Sequence, residues 1–318
     1  MNRSILSVSA AALLAACGGS QPPTGSPGAV PQSRAIVTHA EHGGSWMAPE
    51  AKGDTLLYAS GSNLGSVYVF SFPAGKLVGT LSDFIMPTGE CVDTAGDVWV
   101  ADTTYDGKLY EYAHGGTSPI ATLNAPDYPM ACAIDPKTGN LAVTTGRHTV
   151  LIYPGARGKP RSYLDDNIAT WYFCAYDSTG NLFLSGENWR YVQRLIEQPY
   201  GKSRFATVAG IKGFPEDAPV VWDGKYVAVL AGYGQGTETI DRIRVVGRHG
   251  TIEKMVAFRN NPPFNSQFLT FQGSVVQGGI GAIGVWTYAR HGKLEKIIKQ
   301  RNPEIQYLGV AMILTPSR

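Results

Sequence analysis

At 318 residues, with 43% hydrophobic and 16% charged side chains, the chain is long enough to bury a large core and too apolar to be disordered throughout. Its formal net charge of +2, with no basic tract, supplies none of the clustered phosphate contacts that DNA or RNA binding needs, so no nucleic-acid partner is expected. Glycine at 38, proline at 20, and 16 Tyr, 11 Phe and 6 Trp favour short strands joined by tight turns over long helices, which points to an all-β fold.

The first element is MNRSILSVSAAALLAAC: Arg3, then an apolar stretch from Ile5 to Ala16 too short to span a bilayer as a stable helix. It reads as an export signal over residues 1–16. Its end, Leu14-Ala15-Ala16-Cys17, resembles the lipobox of bacterial lipoproteins. That resemblance implies cleavage before Cys17 and diacylation of its thiol, with the small Ala15 and Ala16 admitting the peptidase. Several acyl chains, at about 0.8 kcal/mol per buried methylene, would anchor the protein stably to the cell envelope, at the outer membrane or periplasmic face if the host is diderm. Residues 17–40, rich in Gly, Pro, Ser and Gln and without apolar periodicity, read as a flexible tether. Residues 41–318 then form the folded domain.

Within that domain a tight Gly turn followed by an alternating apolar strand recurs six times: GDTLLYAS at 53, GDVWVADT at 96, GNLAVTTG at 139, GNLFLSGE at 180, GKYVAVLA at 224 and GSVVQGGI at 273. The spacings are 43, 43, 41, 44 and 49 residues, the period of a repeat architecture. Four copies are preceded by a short strand ending at Asp93, Asp135, Asp177 or Asp223. An aspartate there starts a hairpin by accepting bonds from the following amides. A third strand (VYVFSF, LYEYA, VLIYP, QRLIEQ, IRVVG, VWTYA) and a fourth (LVGTLSD, PIATLN, SYLDD, FATVAG, IEKMVAF, LEKIIKQ) complete each unit. Four antiparallel strands at this period make one blade, so the chain predicts a six-bladed β-propeller. The ring must close to avoid a bare edge. The leftover strand 308–314, LGVAMIL, is expected to complete the first blade beside Leu56–Ser60, joining the N- and C-terminal segments. The segment GSWMAPE competes for that place, but Pro49 makes it the poorer central strand.

PTGECVDTAGDVWVAD (87–102) and MACAIDPKTGNLAVTT (130–145) resemble the NHL repeat, and the domain from about 45 to 314 is similar to the NHL and SMP-30/gluconolactonase-like six-bladed propellers. This architecture hosts lactonases, lyases, receptors and scaffolds, so the resemblance implies the fold far more than an activity. SMP-30-like lactonases hold a divalent cation with Glu, Asn and Asp side chains and open with an EGP-type segment, which is missing here. Glu90 on an innermost strand and Glu187 with Asn188 could still hold a cation such as Ca²⁺ at the channel mouth, giving a metal-dependent hydrolase or lyase as the alternative. His114, His249 and His291 recur at one repeat position on separate blades, so they do not converge as metal ligands. No G-x-S-x-G elbow, P-loop or supported Cys/His pair is found, and no cofactor is expected.

Cys132 and Cys174 each stand three residues before an aspartate, whereas Cys91 stands two before Asp93. Because side chains alternate along a strand, Cys91 points to the opposite sheet face. Blades 2 and 3 pack face to face, so a Cys91–Cys132 disulfide is expected, with free buried thiols as the alternative; export permits oxidation. Loops from the fourth strand to the next blade, and from second to third strand, share the face around the channel mouth. They carry Tyr105, Asp106, Tyr128, Trp171, Tyr172, Glu187, Asn188, Trp189, Arg190, Tyr233 and Phe264. Aromatics beside amides and charges suit sugar rings or peptide segments. The expected function is therefore a membrane-anchored binding or scaffold module for a peptide, glycan or envelope protein.

Overall fold

The computed structural model describes residues 44–211, 217–231, 237–259, 266–288 and 291–314. The chain divides into Met1–Ala40 and Glu41–Arg318, and all described residues belong to the second unit. Cys17, the tether, Tyr233 and Phe264 lie outside the described residues.

The described chain forms six sheets, each built on four antiparallel strands: a six-bladed β-propeller. Innermost strands run Tyr307–Ile313 (blade 1), Pro87–Val92, Pro129–Ile134, Thr170–Tyr176, Val220–Trp222 and Phe268–Phe271 (blades 2 to 6). The second strands, Thr55–Gly61, Val98–Asp102, Leu141–Thr145, Leu182–Glu187, Val227–Ala231 and Ser274–Gly278, follow the six glycine turns.

Two-residue alternation decides why the sheets form a ring. In Thr55–Gly61, Leu56 and Tyr58 pack toward blade 2, while Leu57 and Ala59 pack toward blade 6. In Val98–Asp102, Val98 and Val100 meet blade 1, while Trp99 and Ala101 meet blade 3. Neither face of these blades is solvated, so each must be covered by a neighbour. Among the described residues the core accordingly consists of six apolar clusters, one between each adjacent pair of blades.

Closure comes from the chain's end. Tyr307–Ile313 pairs with the second strand of blade 1 in the register Leu56↔Ile313 to Ser60↔Gly309. Trp46–Met47, from the segment that competed for this position, pairs instead with Lys76–Leu81 and adds a short fifth strand at the outer edge of blade 1. Blade 5 is also extended: His291–Gly292, from the hairpin between the third and fourth strands of blade 6, crosses over and pairs in parallel with Ala257–Phe258. Gly309 is required where it stands, since a Cβ there would collide with the carbonyl of Thr88 on the innermost strand of blade 2.

The four aspartates between first and second strands act as turn anchors. Asp93 accepts from the amides of Ala95 and Asp97, Asp135 from Lys137, Asp177 from Thr179 and Asn181, and Asp223 from Lys225 and Tyr226. Cys91 and Cys132 are joined in a disulfide with Cα atoms 5.6 Å apart, linking the innermost strands of blades 2 and 3. Cys174 is a free, buried thiol in the cluster between blades 3 and 4.

Candidate functional site

The loops that leave second strands and those that lead into the next blade share one face, here the mouth face. Around blades 2 and 3 these loops tie to one another. The amide of Thr103 donates to Met86 O (2.9 Å), Asp127 N to Tyr105 O (2.9 Å), Tyr128 N to Thr104 O (3.1 Å) and Gly146 N to Tyr128 O (2.7 Å). Asp102 accepts from the amides of Ile85 and Met86, fixing the loop that enters blade 2. Backbone groups that would otherwise face water are thus spent on holding loops of different blades in register.

On this scaffold the side chains form an arc. Tyr105 and Tyr128 meet edge to face with ring centroids 5.9 Å apart. The Arg147 guanidinium lies 6.0 Å from the Tyr128 ring. His148, next in the chain, contacts Trp189 at 6.2 Å, and Trp189 Nε1 donates to Asp166 O, bridging the loops around blades 3 and 4. Asn188 is a turn residue whose Oδ1 accepts from the amides of Arg190 and Val192, shaping the loop that presents Trp189, Arg190 and Tyr191. Trp189 is 64% exposed, Tyr191 82% and Tyr105 58%, values at odds with gap-filling aromatics. Ile85, Arg190 and Asp106 are exposed on the same face.

Backbone strain concentrates there as well. Asp83, Asp127, Tyr128, Tyr191 and Asp217 all hold positive φ, between 59° and 73°, and all lie in mouth-face loops. For bulky tyrosines this conformation costs of order 1 kcal/mol or more, and it persists only where neighbours enforce it.

Several expected site residues lie elsewhere. Trp171 and Tyr172 are buried; the register shift between Trp171 and Cys174 turns Trp171 into the cluster between blades 3 and 4, against Phe205. Glu187 is buried and accepts from Gln193 Nε2 (2.9 Å). Glu90 is fully buried rather than open to the mouth. Its Oε1 accepts from Ser60 Oγ (2.6 Å), and the Gln267 side chain of blade 6 grips its backbone, accepting from the amide (2.9 Å) and donating to the carbonyl (2.6 Å). Burial raises the Glu90 carboxyl to about 8, against the lowering effect of the Ser60 bond. Among the described residues, three acidic side chains whose ligand atoms lie within 4.8 Å of one another, Asp93, Asp97 and Glu111, sit on the opposite face. Tyr191, Arg147 and His148 escaped the sequence reading as site residues, although Tyr191 directly follows the Trp189-Arg190 pair and could have been found there.

No family model matches the sequence, and no curated protein does. The fold is shared with solved structures at low identity. A Bacteroides caccae protein of unknown function is 11% identical, with 82% of this chain and 99% of that one covered and a TM-score of 0.60. Kuenenia stuttgartiensis hydrazine synthase is 15% identical over 76% and 75% of the two chains, with a TM-score of 0.53. The WD40 repeats of RRP9 are 10% identical over 83% and 81%, with a TM-score of 0.52. What this chain has in common with all three is the fold alone.

Proposed function

We propose that this protein is a non-enzymatic binding module: an exported NHL-like propeller, anchored to the cell envelope through lipid on Cys17, that holds a glycan along the arc Tyr105, Tyr128, Arg147, His148, Trp189 and Tyr191. The observation that carries this reading is the set of exposed aromatic rings on strained, mutually bonded loops of three successive blades. Ring faces stack on sugar C–H surfaces, and Arg147, Arg190, Asp106 and backbone groups nearby offer hydrogen bonds to hydroxyls. A peptide or protein segment is the second reading, favoured by the exposed apolar Ile85 and Met86 beside the arc.

The full chain with Cys17→Ser, applied to glycan and peptide arrays, tests this. Retention by glycans, lost in Trp189→Ala, supports the first reading; retention by peptides alone replaces it with the second. The anchor is tested separately: wild-type protein expressed in a bacterial host is expected in the detergent phase of a Triton X-114 separation and Cys17→Ser in the aqueous phase. Equal partitioning of the two would remove the lipid from the account.

A further inference from the structure

A second cleft, of about 650 Å³, is lined by the third and fourth strands of blade 5 together with Tyr288 and His291 of blade 6. Arg242, in the third strand of blade 5 (Thr237–Val246), is among its lining residues. Its Nε donates to Asp223 Oδ2 at 2.5 Å, and the same oxygen accepts from Tyr288 Oη at 2.8 Å. Asp223 Oδ1 takes the amides of Lys225 and Tyr226, so this carboxylate is saturated with donors. Burial would raise the Asp223 carboxyl, but these donors, Arg242 first, outweigh it and hold it below its ordinary range. The guanidinium itself lies between two rings, 4.8 Å from those of Tyr226 and of Tyr288. It is therefore rigid, with one edge committed to Asp223 and its Nη groups left for the cleft.

The rest of the lining does not neutralise it. Glu253 is paired with Arg244, whose Nε lies 2.6 Å from Oε1. Lys254 stands directly across from Arg242 on the neighbouring strand and has no acidic partner among the described residues. Arg242 already has Asp223 as its counter-ion, so the charge left uncompensated on this side of the cleft is that of Lys254. His291 adds a further donor, and Val256, on the same sheet face as Lys254 and Arg242, lies with the Tyr288 ring beside them. The volume falls within the range of sites that enclose a small organic ligand.

We propose that this cleft binds an organic anion, a carboxylate or phosphate monoester on an apolar body, with the charged group between Arg242 and Lys254 and the body against the Tyr288 ring. The proposal is independent of the mouth-face reading. Two probes, phenyl phosphate and benzoate, distinguish the phosphate from the carboxylate form; benzyl alcohol is the neutral control. Calorimetric titration of the intact protein is expected to show at least one anion binding and benzyl alcohol failing to bind. Because Arg242 also braces two blades, the diagnostic variant is Lys254→Glu, at an exposed position, which sets a carboxylate across from Arg242. It should weaken the anion at least about tenfold, the consequence of replacing attraction by repulsion beside the bound charge, while leaving the thermal midpoint unchanged or raised. If neither anion binds at millimolar concentration, or if Lys254→Glu binds as well as wild type, the proposal is overturned.

Discussion

Glu90 shows how a single side chain can carry a cost that local sequence does not announce. Its carboxyl is fully buried, one oxygen bonded to Ser60, and the Ser60 hydroxyl and Ala311 amide only partly offset the burial. With its value raised to about 8, the folded state holds the proton more tightly than the unfolded chain. The stabilisation from protonated Glu90 is complete below the ordinary carboxylate range and is lost as pH rises through about 8. Glu90→Gln should therefore flatten the stability profile between pH 5 and 9 and raise stability at pH 9 by roughly 2–4 kcal/mol, as read by urea denaturation. A variant no more stable than wild type at pH 9 would mean that the buried carboxylate is compensated. Cys174 makes a second case: burial pushes its thiol up to about 12, so iodoacetamide should not label the native protein and should label it once unfolded. Under non-reducing digestion Cys91 and Cys132 should appear in one linked peptide pair.

At the scale of the strand, the closing segment Tyr307–Ile313 has the largest consequence, because it is the innermost strand of blade 1 and links the two ends of the folded domain. Gly309→Ala drives a methyl group into the Thr88 carbonyl at the blade 1–2 seam. Overpacking against backbone that has no room to move should cost roughly 3 kcal/mol or more, measurable as a lowered urea midpoint. Gly53→Ala, where a Cβ meets open space, is the control and should shift the midpoint little. The repeat was legible in the sequence because alternation such as Leu56-Leu57-Tyr58-Ala59 is a local signal tied to burial on both faces. The orphan strand near 308–314 was legible because a closed ring needs exactly one more innermost strand than the repeats supply. Trp46–Met47 was not: two residues carry no period, and their edge position depends on Lys76–Leu81 being free to accept them. The parallel crossover of His291–Gly292 onto blade 5 was equally silent, since it pairs hairpin backbone with a strand of another blade.

For the molecule as a whole, the six inter-blade clusters make stability cooperative around the ring, and the disulfide reinforces one seam of it. A cross-link spanning 41 residues is worth about 4 kcal/mol by the chain-entropy estimate, so reduction should lower stability by an amount of that order. The candidate site was half legible. Tyr105, Tyr128 and Trp189 stood out as aromatics in turn-rich loops, and they are exposed on one face. Trp171 lies in the same kind of sequence but is carried inward by a bulge. Glu90 is closed over by Gln267, a residue 177 positions away. The Arg242 cleft left no trace in the sequence because its partners Asp223 and Tyr288 come from different blades.

The claim on which the functional account rests is that ligand is held by the mouth-face arc of blades 2 to 4. Its most direct test is the double variant Tyr128→Ala/Trp189→Ala, compared with Tyr200→Ala, an exposed aromatic on the opposite face, against the best array ligand. The account predicts roughly a thirtyfold or greater loss of affinity for the double variant, since two stacking contacts of about 1–2 kcal/mol each are removed, with no change for Tyr200→Ala and with both variants still fully folded at the assay temperature. Undiminished binding by the double variant, or loss on Tyr200→Ala, would contradict it.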